Sequence, residues 1–319
     1  MGDSGMGTPD WDLAGIVAGL RDARREWREA QSRRSDAATH EFPSREIVRD
    51  LMLKFRGALF PLRLGPPDLT RDGEDFYVGH ALDAALDHLY SQVRLELAWR
   101  LRHDEGAASR EGVPQHARRI VAELAASLPA LRRLLDTDVE AAYRGDPAAQ
   151  SVDEVLLCYP GVLALIHHRI AHELYRLGVP LVARIVAELA HSETGIDIHP
   201  GAEIGPHFFI DHGTGVVIGE TARIGERVRI YQAVTLGAKR FETGADGALQ
   251  KGQPRHPIVE DDVVIYAGAT ILGRITIGQG SSIGGNVWLT RSVPAGSQVS
   301  QGRLEHALAE APPGPGAAP

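Results

Sequence analysis

Between Ile198 and Leu289 the apolar positions recur every sixth residue. Ile198, Ile204, Ile210 and Val216 form one run. After a two-residue slip, Ile218, Ile224, Ile230 and Leu236 form a second. After a long interruption Val259, Ile265, Ile271, Ile277, Ile283 and Leu289 resume the count. The residue four places on is often small or branched, as at Ala202, Ala222, Val228, Val234, Val263, Ala269, Ser281 and Val287. A helix repeats every 3.6 residues and a half-buried strand every 2, so neither produces this pattern. A six-residue repeat does, in a parallel β-helix. Each unit forms one flat side of a triangular coil, and its aliphatic residue points inward onto the coils above and below.

The preceding region has a different rhythm. From about Ser44 to Ala190 the apolar period is helical. Leu82, Leu86, Leu89, Val93 and Leu97 make one stripe, and Ile120, Leu124 and Leu128 another. Gly65-Pro66-Pro67, Gly112-Val113-Pro114 and Gly145-Asp146-Pro147 punctuate it, and Gly178-Val179-Pro180 breaks the last helical stretch. The expected fold class is α+β: an N-terminal α-helical bundle, then a left-handed parallel β-helix of hexapeptide repeats with one long excursion loop. The expected divisions are a mobile segment over 1–43 with a helix from Trp11 to Arg34, a helical domain over 44–190, the β-helix over 191–302, and a disordered Pro- and Gly-rich tail over 303–319.

Composition narrows the function. A chain of 319 residues with formal net charge −8 has no basic surplus for nucleic acid. Its only cysteine, Cys158, lies in an apolar run and reads as a buried structural thiol. One cysteine excludes a disulfide framework and fits a reducing cytoplasm. No secretory signal opens the chain, and no apolar stretch is long enough to span a membrane.

The interruption is the first candidate for chemistry. Between Leu236 and Val259 the chain leaves the coil, and an excursion this long from a tight solenoid is more often functional than decorative. It carries Lys239, Arg240, Lys251 and Arg255, a set that suits an anionic ligand.

Histidines cluster where the repeat begins, at His191, His199, His207 and His212, and His256 returns on the excursion. His212 makes the best catalytic candidate. It follows Asp211 in Ile210-Asp211-His212-Gly213-Thr214-Gly215, at a flat-side position expected to hold a small residue. Near a carboxylate, a neutral imidazole is a general base with a fixed tautomer. With three hexads to a coil, Asp197 is expected to stack on Gly215, three residues or roughly 10 Å from the point above His212. A contact between Asp197 and His212 is therefore possible on repeat arithmetic. The histidines fall on different sides of the coil and no cysteine or Glu-x-x-His pattern supports them, so no metal site is expected.

Several segments in order resemble one known family: Gly195-Ile196-Asp197-Ile198-His199-Pro200-Gly201-Ala202, then Ile210-Asp211-His212-Gly213-Thr214-Gly215-Val216-Val217-Ile218-Gly219-Glu220-Thr221-Ala222, then Gln232-Ala233-Val234-Thr235-Leu236-Gly237, and Arg255-His256-Pro257. They look like bacterial serine O-acetyltransferase, over residues from about 140 to 300. The resemblance implies transfer of acetyl from acetyl-CoA to the hydroxyl of L-serine. It implies His212 as the base and Asp197 as the carboxylate that orients it. Asp146 and Asp211 would meet the serine ammonium, and Arg255, with His256 close by, its carboxylate. Such a substrate needs anions for one end and a bidentate cation for the other. Coenzyme A would lie against Gly237, Ala238, Ala267 and Gly285.

The resemblance further implies a trimer or a dimer of trimers, and feedback inhibition by L-cysteine. Many members end in isoleucine, which docks into O-acetylserine sulfhydrylase. This chain ends Ala317-Ala318-Pro319, so weak or no binding to that partner is expected. The excursion is longer than in the best-known members, which leaves Lys239, Arg240 and Lys251 without a matching position. The competing readings are a hexapeptide acyltransferase for homoserine or a sugar, a zinc lyase on the same scaffold, and a non-catalytic scaffold.

Overall fold

A computed structural model describes residues 11–30, 42–103, 112–240 and 252–301. The expected features at Lys251, over most of the excursion and in the tail from 303 lie outside these residues. The chain divides into two compact units, residues 1–41 and 42–319.

The first unit contributes α1 (Leu13–Ala30), an amphipathic helix none of whose residues is buried. In the second unit, Ser44 caps α2 (Arg45–Leu59) by accepting from the Ile47 N–H, which satisfies one of the orphan donors of a helix start. A one-turn helix α3 (Pro61–Leu64) and the long α4 (Glu74–His103) and α5 (Val113–Gly145) follow. A short α6 (Val152–Cys158) leads to α7 (Pro160–Arg176) and α8 (Pro180–Thr194). The stripe residues Leu89, Val93, Leu97, Ile120, Leu124 and Leu128 are buried, while Leu82 and Leu86 pack on the core edge. Glu96, fully buried on α4, accepts from the Leu181 and Val182 N–H groups at 2.9 and 2.8 Å. The start of α8 thus takes its cap from another helix.

Cys158 departs from expectation: it is exposed. The short α6 buries only Val155, and Leu157 beside the cysteine is exposed as well. The helical region also continues past 190, to Thr194, where Gly195 closes α8 in the left-handed conformation (φ +70°).

The coil then runs through three parallel sheets, one per side of the prism. One sheet orders β1 (Asp197–Ile198), β4 (Val217–Ile218), β7 (Thr235–Gly237), β10 (Thr270–Leu272) and β13 (Trp288–Leu289). The second stacks β2 (Glu203–Ile204), β5 (Arg223–Ile224), β8 (Ile258–Val259) and β11 (Thr276–Ile277). The third stacks β3 (Phe209–Ile210), β6 (Arg229–Ile230), β9 (Val264–Ile265), β12 (Ser282–Ile283) and β14 (Gln298–Val299). Two-residue strands with sharp corners are what a six-residue repeat dictates. The period-six aliphatics Ile198, Ile218, Leu236 and Ile271 line up across the first sheet and are buried.

Helices and coil share one apolar core from Val48 to Val287. Their seam is tight. A Cβ on Gly161 of α7 would stand 2.5 Å from the Ile210 carbonyl oxygen, so only glycine fits there. Arg169 of α7 and Asp138 of α5 form a buried ion pair at 3.0 Å. Arg169 also donates to the Gly205 carbonyl at 2.7 Å, and Asp138 accepts from the Phe208 N–H at 3.0 Å. Two helices are thereby pinned to the second corner of the first coil.

Candidate active site

The register corrects the repeat arithmetic. Asp197 pairs with Val217, not with Gly215. The next coil of this sheet and the one from Thr270 to Trp288 are each shorter by two residues, as Val217 with Thr235 and Thr270 with Trp288 show. The extra pair is not a slip after Val216. It lies in the corner between β3 and β4, and that corner is Asp211–Gly215. His212 therefore stands on an edge of the prism, not on a flat side. His212, Gly213 and Gly215 all have positive φ (+60°, +85° and +80°), where the matching corner of the next coil uses Ala233 alone (+57°). The bulged corner pushes the His212 side chain outward, to 69% exposure.

Asp211 supports this corner from below. It is buried, and its Oδ2 accepts from Arg229 Nη2 at 2.5 Å. Its Oδ1 lies 3.8 Å from His212 Nε2. Asp146, which caps the end of α5, accepts from the Tyr159 hydroxyl at 2.5 Å and from the Ala148 N–H at 2.8 Å. The Tyr159 hydrogen bond, followed by that from the Ala148 N–H, holds the Asp146 carboxyl below the usual carboxylate range, with smaller help from Arg229 and His212. The same bond pushes the Tyr159 phenol up to about 12. Asp146, Asp211 and His212 thus gather at one edge, with Arg229 and Tyr159 as residues the sequence reading missed.

The excursion re-enters at the other edge of the first sheet. Arg255 donates to Glu220 at 2.7 Å, and Tyr175 of α7 donates to the same carboxylate at 3.0 Å. Burial pushes the Glu220 carboxyl up, but these two hydrogen bonds outweigh it and the net shift is downward. The hydroxyl of Thr221 accepts from the Arg255 and His256 N–H groups at 2.9 and 3.1 Å. His256 is buried, its imidazole lowered to about 4 by that burial and by the adjacent Arg255. Arg274 donates to the Thr221 carbonyl at 2.6 Å and to the His256 carbonyl at 3.0 Å. His199, lowered by burial, packs edge-on against Tyr175 at 5.7 Å. Glu220 and Thr221 lie within the segment Ile210 to Ala222, and only the fold brings them to Arg255.

Asp197 begins β1, between these two edges. Its carboxylate forms a group with Glu188 and His191 of α8, their ligand atoms within 4.8 Å of one another. The fold brings it to that pair, and the carboxylate placed 3.8 Å from the His212 ring is Asp211. The expected coenzyme residues divide as well. Ala267 and Gly285 stack at the His212 edge, where the Asn286 N–H donates to the Ala267 carbonyl at 2.9 Å and a Cβ on Gly285 would meet the same oxygen at 3.2 Å. Gly237 accepts from the Gly273 N–H at 2.9 Å on the other edge, and the half-buried Ala238 follows as the chain departs. Lys239 and Arg240 are exposed beside it.

This architecture and site define a hexapeptide-repeat transferase, and the family model described as bacterial transferase hexapeptide (six repeats) matches residues 256–291. A plasmid serine acetyltransferase of Synechococcus elongatus is 58% identical over 267 residues, 83% of each chain. Entamoeba histolytica serine acetyltransferase 1, solved in complex with L-cysteine, superposes with a TM-score of 0.68 at 40% identity, over 79% of this chain and 86% of that one. Soybean serine acetyltransferase complexed with serine gives 0.50 at 30% identity, over 82% of this chain and 96% of its own. The chain belongs to the serine acetyltransferase family. Among the described residues no helix is long and apolar enough to cross a membrane.

Proposed function

We propose that the protein transfers acetyl from acetyl-CoA to the hydroxyl of L-serine, giving O-acetyl-L-serine and CoA, the first step from serine toward cysteine. The observation that carries this reading is the edge where Asp146, Asp211 and the exposed His212 meet. Two carboxylates beside a base suit a hydroxyl acceptor that bears an ammonium group. His212 takes the hydroxyl proton as the serine oxygen attacks the thioester carbonyl. The tetrahedral intermediate then expels the CoA thiolate, and the imidazolium returns the proton. Direct attack of this kind requires a positioned base and no protein nucleophile. We assign Asp197 the orienting role that the family resemblance implies; the carboxylate beside Nε2 in the structure is Asp211.

Arg255 and His256 receive the serine carboxylate. Gly215 and Gly219 delimit the first sheet between the two edges, about 13 Å of extended chain, which exceeds one serine. This separation supports a site shared between copies, one supplying the Asp146, Asp211 and His212 edge and its neighbour the Arg255 edge, in a trimer or a dimer of trimers. The pantetheine arm runs past the small residues Gly237, Ala238, Ala267 and Gly285. L-cysteine, which replaces the hydroxyl of serine by a thiol, competes for the same pocket; the Entamoeba relative with bound cysteine supports this.

The test is acetyl-CoA with a panel of hydroxyl acceptors, following thiol release. L-serine is expected to dominate. Equal or faster turnover of homoserine or a sugar would move the protein to another acceptor within the same transferase class. Light scattering reports the assembly, and a monomer with full activity would overturn the shared site.

A further inference from the structure

The Asp146 and Asp211 carboxylates sit on different elements, α5 and the corner after β3, and one side chain joins them. Arg229 leaves β6 beside Phe209, its register partner on β3. Its Nη1 donates to the Gly145 carbonyl at 2.6 Å and its Nη2 to Asp211 at 2.5 Å. The guanidinium lies 4.9 Å over the Phe209 ring and 4.6 Å over Tyr231, which stacks in turn on Tyr266 at 5.2 Å. Gly145 has no slack of its own, since a Cβ there would come 2.8 Å from the Phe209 ring. A carbonyl in the last turn of a helix lacks an intrahelical partner, and a cation there is favoured by the helix dipole. The next residue is Asp146.

We propose that Arg229 is the positioning residue of the amino-group pocket: it locks the α5 end that carries Asp146 to Asp211, and reduces their joint charge to match one ammonium. The proposal rests on the serine reading above. Two carboxylates and one guanidinium leave a single net negative charge, complementary to a monoamine. A planar fork reaches both acceptors at once while its faces rest on aromatic rings, which a lysine cannot copy. With Oδ2 of Asp211 held by Arg229, Oδ1 is the oxygen left on the His212 side.

Arg229→Met and Arg229→Lys, prepared as the full chain, test this. For R229M the KM for L-serine is expected to rise about tenfold, the effect of one lost charge-assisted bond, with kcat and the KM for acetyl-CoA within about threefold. R229K keeps the charge without the fork and is expected to recover part of the serine KM. Amide hydrogen exchange over residues 143–149 is expected to quicken in R229M. An unmoved serine KM, or equal losses in kcat and in both KM values, overturns the proposal. A wild-type protein that does not acetylate L-serine would sink the functional reading instead. In that case unchanged exchange over 143–149 in R229M still overturns the positioning role, and faster exchange there supports it.

Discussion

The Nδ1 atom of His256 accepts from both the backbone N–H and the hydroxyl of Thr221, at 3.0 and 2.9 Å. Nδ1 is therefore unprotonated and the neutral ring carries its hydrogen on Nε2, available to an acceptor such as a carboxylate. Thr221 in turn holds the backbone of Arg255 and His256, so one hydroxyl fixes the return of the excursion. Thr221→Val keeps the volume and deletes the hydroxyl. Steady-state kinetics should show a serine KM raised at least about tenfold, because all three hydrogen bonds of that hydroxyl are lost. An unchanged KM would remove Thr221 from the site.

Acid should loosen this anchor. The folded imidazole lies at about 4, below its unfolded value near 6.5. Its contribution to stability is thus fully present above about pH 6.5 and is lost as pH falls toward about 4, because the unfolded ring binds a proton that the folded ring refuses. Denaturant melts at about pH 7.5 and about pH 5 should differ more for the wild type than for His256→Asn, on the order of 1–2 kcal/mol after allowance for solvent screening. Equal pH dependence in the two proteins would contradict the anchor.

Gly219 carries the floor under that ring. A Cβ there would fall 2.0 Å from His256 Cδ2. Gly219→Ala must displace the imidazole from Thr221, and is expected to cost activity toward serine at least tenfold while the coil, whose inward residues are untouched, stays folded by circular dichroism.

His212→Ala is expected to lower kcat about 10²–10⁴-fold, the usual contribution of a general base, with the melting temperature nearly unchanged because the side chain is exposed. Retained turnover would take His212 out of the mechanism.

The Asp138–Arg169 pair predicts the opposite behaviour. Asp138→Ala strands a buried guanidinium and should destabilise by about 3–5 kcal/mol, a fall in melting temperature of roughly 6–20 °C, while protein that remains folded keeps its serine KM. Thermal melts and kinetics on one preparation separate the two effects.

The inward aliphatics were legible because stacking leaves them no alternative; Ile198, Ile218 and Leu236 are where a period of six puts them. The position of His212 was not, since an insertion shows in the sequence only as a shift of phase. Phase returned at Ile218, but the two extra residues could lie anywhere after Ile210, and only the register fixes them at the corner. Arg229 escaped notice for another reason. An outward strand arginine is usually a solvated one, and its partners Gly145 and Asp211 lie far from it in sequence. Cys158 misled because an apolar run on a short surface helix has too few turns to bury all its members.

The seam between Gly161 and Ile210 has a consequence for engineering. Gly161 closes directly on Ile210, and the side chains of helices and coil contribute to one core. The unit from residue 42 onward should melt in a single calorimetric transition rather than two. The coil is accordingly a poor transplant: grafted under a foreign helical cap, it would lose the glycine that lets α7 lie against its first turn, and with it the floor on which His212 is raised.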